Sequence, residues 1–289
     1  MSNSKTGLGS LQKLASGAGE LNLAGKLGLS VVVICFAAAA FGPMFAPYEV
    51  GALVAPDVFE SFSAAHPFGS DYLGRDVLSR LLSATRYTVF IALFATVLAS
   101  SLGTGMALFA VVSSRWIDES LSRFMDTLIS IPSKIFALVM IAAFSASIPL
   151  LLIVAAIAYM PGAYRIARSL AVNLNEMDYV EVARARGEQA NYIAMHEILP
   201  NMIHSVLADF GLRFVYIILL LSGMSFLGLG VQPPDSDLGS LVRENISGLP
   251  EAAPAIVVPA LVIAGLTIGV NLLIDSLSEQ RKKSRAKTS

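Results

Sequence analysis

Six blocks of apolar residues constrain what this chain can fold into more than any other feature. They cover about 25–46, 87–112, 124–144, 148–166, 206–229 and 254–277. Each is close to the roughly 20 residues that a helix needs to cross about 30 Å of hydrocarbon. Six transmembrane helices in an all-α membrane protein are therefore expected. The charged share of 14% falls well below the quarter or so of an ordinary soluble domain, and the mean hydropathy is +0.69. The first block is too long for the apolar core of a signal peptide and no clean cleavage site follows it, so an uncleaved span is expected.

The placement of Lys and Arg predicts the orientation, because basic residues near spans stay in the cytoplasm. With the N-terminus inside, the inside segments carry 14 of them and the outside segments only 4, namely Arg75, Arg80, Arg86 and Arg243. Both termini are thus expected in the cytoplasm, in a multi-pass arrangement. The segments read as a cytoplasmic tail over 1–24, an outer segment over 47–86, a core of five spans over 87–277 that includes an inner loop at 171–205, and a tail over 278–289. The cluster Arg281, Lys282, Lys283, Arg285 and Lys287 reads as a topology anchor. A net charge of -1 gives no basic excess to attract nucleic acid.

The inner loop is the main polar interruption. Asp178 and Glu181 form a D-x-x-E pattern, which predicts a helix start with Asp178 as cap. That helix should close at Gly187, where glycine can adopt the left-handed conformation. A second short helix is expected over about 191–199, ending at Pro200. Ala183 and Ala185 are small enough for something else to approach closely.

Glu181, Ala183, Gly187, Ile198, Leu199 and Pro200 together spell E-x-A-x3-G-x10-I-L-P. This resembles the cytoplasmic loop signature of permease subunits of bacterial ABC importers, with Val182 at the first alanine position. Two further stretches resemble the dipeptide, oligopeptide and nickel branch of that family. "HPFGSDYLGRDVLSRLLSATRYT", 66–88, matches with Ser70 for the usual threonine. "SFLGLGVQPPDSDLGSLV", 225–242, matches with Leu238 at a tryptophan position. The resemblance covers about 25–278 and implies a type I importer permease fold whose loop forms coupling helices. It also implies the bacterial inner membrane as location and, as partners, a homologous permease, two ATP-binding cassette subunits and a periplasmic solute-binding protein. ATP and magnesium would be bound by the cassette subunits, leaving this chain non-catalytic and without a cofactor. Small peptides are the implied solutes, with nickel, glutathione or another small conjugate as alternatives.

The residues offer little support for chemistry. Gly25 and Lys26 lack the spacing of a phosphate loop, and "HEILP" has Pro200 where a second zinc histidine would stand. His66, His196 and His204 are too few for a histidine metal site, and Cys35 is the single cysteine. Ser225 in "GMSF" reads as a packing serine rather than a nucleophile. Asp209 and Arg213, four apart on one helix face, can pair, either as a structural ion pair near the cytoplasmic end of the fifth span or as a contact along the solute path. Asp126 and Lys134 carry the same ambiguity, while Asp275 reads as an interfacial charge. Gly265 and Gly269, with Gly103 and Gly105, allow close helix approach within the chain or against a sister subunit. In the outer segment Val77, Leu78, Leu81 and Leu82 mark an interfacial amphipathic helix or a surface for the solute-binding protein, fixed by ion pairs among Asp71, Arg75, Asp76 and Arg80. A stand-alone secondary transporter, the rival reading, would show broken helices or charges at the midplane, whereas the charges here fall near span ends.

Overall fold

The computed structural model describes residues 21–288, with side chains to Gln280. Most of the expected N-terminal tail and the side chains of the basic cluster 281–287 lie outside the described residues. Within them the chain is helical, apart from connecting loops and two isolated bridges, Leu53 with Arg75 and Ser70 with Asp76.

The first span is α1 (Leu23–Phe41), prolonged by a 3-10 turn over Gly42–Phe45. It starts inside the expected tail because the Asn22 side chain caps it, accepting from Gly25 N–H at 2.8 Å. The second span, α2 (Val77–Val112), is 36 residues long, about 54 Å at 1.5 Å per residue. It absorbs the stretch expected to form a separate interfacial helix. Asp76 is the reason, since its carboxylate caps the helix at Ser79 N–H at 2.8 Å and nothing interrupts the chain from there on.

The expected third span is the clearest departure. Two helices, α3 (Arg115–Ser130) and α4 (Ser133–Phe144), meet at a bend of 80°. Ile131 is extended at the break, as the clash with a following proline ring requires. Among the described residues, five helices are therefore long and apolar enough to cross a membrane, or six if the bent pair is one span. The remaining elements are α5 (Ile148–Asn175), α6 (Asp178–Ala185), α7 (Ala190–Phe226), α8 (Leu238–Glu244) and α9 (Pro254–Thr288).

Small residues draw the spans together. On α2 a seam of Ala92, Ala95, Gly103, Ala107 and Ala110 is buried, and it meets Ala155, Ala163, Ala167 and Ala171 of α5. In lipid, where apolar association gives little drive, close van der Waals approach of this kind holds helices together. Gly28 of α1 packs on α9 so tightly that a Cβ there would lie 2.5 Å from the Gly269 carbonyl oxygen. The G-x-x-x-G of the last span thus serves contacts within the chain. Two buried threonines of α2 bond within their own helix: the Thr85 and Thr96 hydroxyls donate to Leu81 and Ala92 carbonyls at 2.7 and 2.6 Å.

Candidate functional site

At one end of the bundle, the loop end, α6 and the start of α7 form a compact elbow. The helix α6 begins at Asp178, with Met177 in the cap position and no side-chain cap bond. The expected capping box does not form, because Asp178 already lies in the first turn. There it and Glu181 still place negative charge at the positive end of the helix. The other terminus closes as the glycine predicts. Gly187 has φ +83°, its N–H donates to Arg184 O at 2.9 Å, and Glu188 N–H donates to Ala183 O at 3.2 Å, the paired bonds of a Schellman motif.

No separate second helix follows. The turn at Ala190–Tyr192 continues through a π-helical stretch over Ile193–Ile198 into the span at Leu199. Leu199 N–H donates back to Ala194 O, an i→i-5 bond. Pro200 has no N–H to give, so the backbone widens just before it rather than ending.

The elbow has two faces. Val180, Ala183, Ile193, Ala194, Ile198 and Met202 are buried in one cluster with Ala107, Leu108 and Ala110 of α2, Met125 of α3, and Tyr164, Ala167 and Ala171 of α5. Ala183 is small because α6 lies against its own chain; Ala185 points outward. On the other face Met177, Tyr179, Val182, Tyr192 and Met195 are exposed large apolar groups, with Glu181, Gly187 and Pro200 also exposed and Leu199 half-buried. Val182 therefore belongs to the exposed face, and its bulk costs nothing in the interior. Motif spacing alone misses Met177, Tyr192 and Met195, of which a helical wheel over the continuous α7 would have found the last two.

Asp209 and Arg213 form a bidentate pair at 2.7 and 3.0 Å. A third bond runs from Arg213 to the Tyr159 carbonyl at 2.8 Å, and Arg213 is 6% exposed. The guanidinium fills the space over Gly162, pinning α7 to the middle of α5 rather than sitting near a span end. Asp126 pairs with Arg165 at 3.3 Å, both well exposed, and Lys134 is exposed beside the bend.

The opposite, far end of the bundle is organised by the other two motifs. Asp71 accepts from Arg75 and Arg80, both at 2.7 Å, and Glu244 of α8 accepts from the same two arginines at 3.2 and 2.8 Å. Asp71 is 1% exposed and Arg80 3% exposed, so this is an interior four-charge network that ties the segment before α2 to α8. Nothing local in the sequence links Glu244 to residues 71–80, so it has no place among the expected ion pairs. Asp76, besides capping α2, sits 3.3 Å from His66. Asp237 accepts from the Ser225 hydroxyl at 2.6 Å, Val231 N–H at 2.9 Å and Ser240 N–H at 2.9 Å. Burial pushes its carboxyl above the usual range while those donors pull it back. Ser225 thus serves as a brace between α7 and α8. Leu238 is fully buried with Leu81, Ala84 and Leu241, replacing any stacking by apolar packing. Beside these residues an open cavity of about 330 Å³ is lined by Tyr72, Gln232, Arg243 and Glu244.

Comparison with known proteins matches residues 99–283 to the family described as binding-protein-dependent transport system inner membrane component. The dipeptide transport system permease protein of Alkalihalophilus pseudofirmus is 29% identical over 253 residues, 88% of this chain and 83% of that one. The glutathione transport system permease protein of Pectobacterium atrosepticum is 31% identical over 220 residues, 76% and 73% of the two chains. A crystal structure of an amino acid ABC transporter, 22% identical, superposes with a TM-score of 0.46 over 70% of this chain and 93% of that one. This chain belongs to the family of binding-protein-dependent transport system inner membrane components, and it is a non-catalytic permease subunit of an ABC importer.

Proposed function

We propose that the chain is one half of the membrane pathway of an importer for small peptide-like solutes. It would work beside a homologous permease, two ATP-binding cassette subunits that hold ATP and magnesium, and a solute-binding protein on the outer side. The loop end faces the cytoplasm in this reading, and so do both termini. The basic residues of the expected inside segments, which far outnumber Arg75, Arg80, Arg86 and Arg243 in the outside segments, support that orientation.

The observation that carries the reading is the two-faced elbow. Its exposed apolar side chains offer a cassette subunit something to grip, and its buried face is continuous with α2, α5 and α7. Closure of the cassettes around ATP pulls on α6, and a core packed this way moves as a body instead of deforming. Those helices then rock between inward-open and outward-open arrangements. The solute class rests on the relatives, whose names specify dipeptides and glutathione, both amide-bearing and zwitterionic.

The bent span and the Asp209–Arg213 pair level with Tyr159 are features that the rival reading, a stand-alone secondary transporter, would also show. The separating experiment is uptake of a labelled dipeptide into vesicles holding the complex, with and without ATP. Dependence on ATP and on the cassettes is expected, together with loss of cassette binding on Glu181→Lys with Met195→Glu. Uptake that ignores ATP, or that survives both changes, overturns the coupling role. Purified binding protein titrated with di- and tripeptides, nickel and glutathione distinguishes the solutes.

A further inference from the structure

The bend between α3 and α4 interrupts the third apolar block at Ile131 and Pro132. Its contacts with the neighbouring α5 place it along the bundle. Asp118 holds Arg168 at 2.6 and 2.5 Å, Ser122 meets Tyr164 at 2.8 Å, and Asp126 meets Arg165 at 3.3 Å. Ser133, just past the bend, lies beside Tyr159, near the middle of α5 (Ile148–Asn175). Irregular backbone and charged side chains persist at this level only where protein buries them or water reaches them.

The chain itself does not bury them. Thr127, Ser130, Pro132 and Lys134 are exposed, the Asp126 and Arg165 side chains are 59% and 67% exposed, and Tyr216 is 52% exposed. Contact links several of these groups: Tyr159 stacks on Tyr216 with ring centroids 6.3 Å apart, and Ser130 donates to Thr127 O at 2.7 Å. Ile34 of α1 and Leu102 of α2 are exposed apolar side chains, and the exposed Ser30 and Ser101 of the same helices are uncharged and turn their hydroxyls back to the Leu27 and Leu98 carbonyls. Lipid fits those positions; it does not fit the bend.

We infer that the bend and its polar surround, Asp126, Thr127, Ser130, Lys134, Arg165 and Tyr216, line the water-filled solute path and present charges of both signs to a zwitterionic solute. This rests on the permease reading above. The exposed ion pair offers a carboxylate to an ammonium group and a guanidinium to a carboxylate, and the tyrosines offer hydroxyls and ring faces to an amide chain.

Cys35, the single cysteine, makes the test direct. In a Cys35→Ala background, Thr127→Cys, Ser130→Cys and Lys134→Cys are introduced separately into the full complex in vesicles. Ile34→Cys and Leu102→Cys serve as controls. Each complex is treated with a charged methanethiosulfonate reagent, without nucleotide and with ATP plus vanadate, and its dipeptide uptake is measured in parallel. Labelling of the three bend positions, at rates that differ between the two states, is expected while the controls stay unlabelled. Bend positions as unreactive as the controls in both states, in complexes that still take up dipeptide, overturn the path assignment alone and mean that protein covers this face. Absence of ATP-driven uptake in the unsubstituted complex would instead count against the permease reading.

Discussion

Replacing Gly187 isolates the geometry of the elbow from its packing. A Cβ added at this position meets nothing within 4 Å, so a side chain fits. The backbone, however, is held at φ +83°, where an L-residue costs about 1–2 kcal/mol. Alanine must either accept that strain or let the last turn of α6 unwind, breaking the bonds from Gly187 to Arg184 and from Glu188 to Ala183. If cassette docking requires the folded elbow, about 1.4 kcal/mol becomes a tenfold weaker association. Gly187→Ala and Gly187→Val should therefore lower cassette affinity about five- to thirtyfold, the range that 1–2 kcal/mol spans. Gly187→Asn, whose side chain tolerates the left-handed region, should lose less. Thermal stability of the solubilised permease should barely change, because Gly187 is exposed and outside the buried cluster. The assay is cassette binding to the reconstituted permease, measured across the three variants beside a melting curve. Equal affinities for Ala, Asn and wild type would refute the reasoning, since the elbow would then not need its left-handed turn to dock.

Ala183→Leu tests the inner face of the same element: forcing three more carbons into a site with 0% exposure should cost about 1–3 kcal/mol and uncouple ATP hydrolysis from uptake, read as ATPase activity without transport. At the far end, Arg80→Ala leaves Glu244 and Asp71 with Arg75 alone in a buried setting, and a loss of about 3–5 kcal/mol should appear as lower yield and an earlier melt in detergent. Asp237→Ala strands the Ser225 hydroxyl and the Val231 N–H, with about 1–3 kcal/mol expected per unsatisfied group; a Ser225→Ala, Asp237→Ala double variant should recover part of it in the same melting assay. Gly28→Val pushes α1 off α9 at the Gly269 carbonyl, and faster proteolysis of the N-terminal span is the expected readout.

Hydropathy and turn chemistry are properties of neighbouring residues, and what depends on them is legible in the amino-acid sequence by itself. The six apolar blocks, the polar elbow with its left-handed glycine, the close approach at Gly103 and Gly269, and the Asp209–Arg213 pair all follow from residues within a few positions of one another. The three motifs added the family for the same reason, because each is a continuous stretch. Tertiary structure alone decided which face each element turns inward. It set Ala183 against α2 and α5 and turned Val182 outward. The expected straight third span became two helices at 80°, since a proline in an apolar block leaves hydropathy intact while removing a hydrogen bond. Glu244 joined Asp71, Arg75 and Arg80 across more than 160 positions of chain. Contacts of that kind depend on how whole helices pack, and no local pattern encodes them.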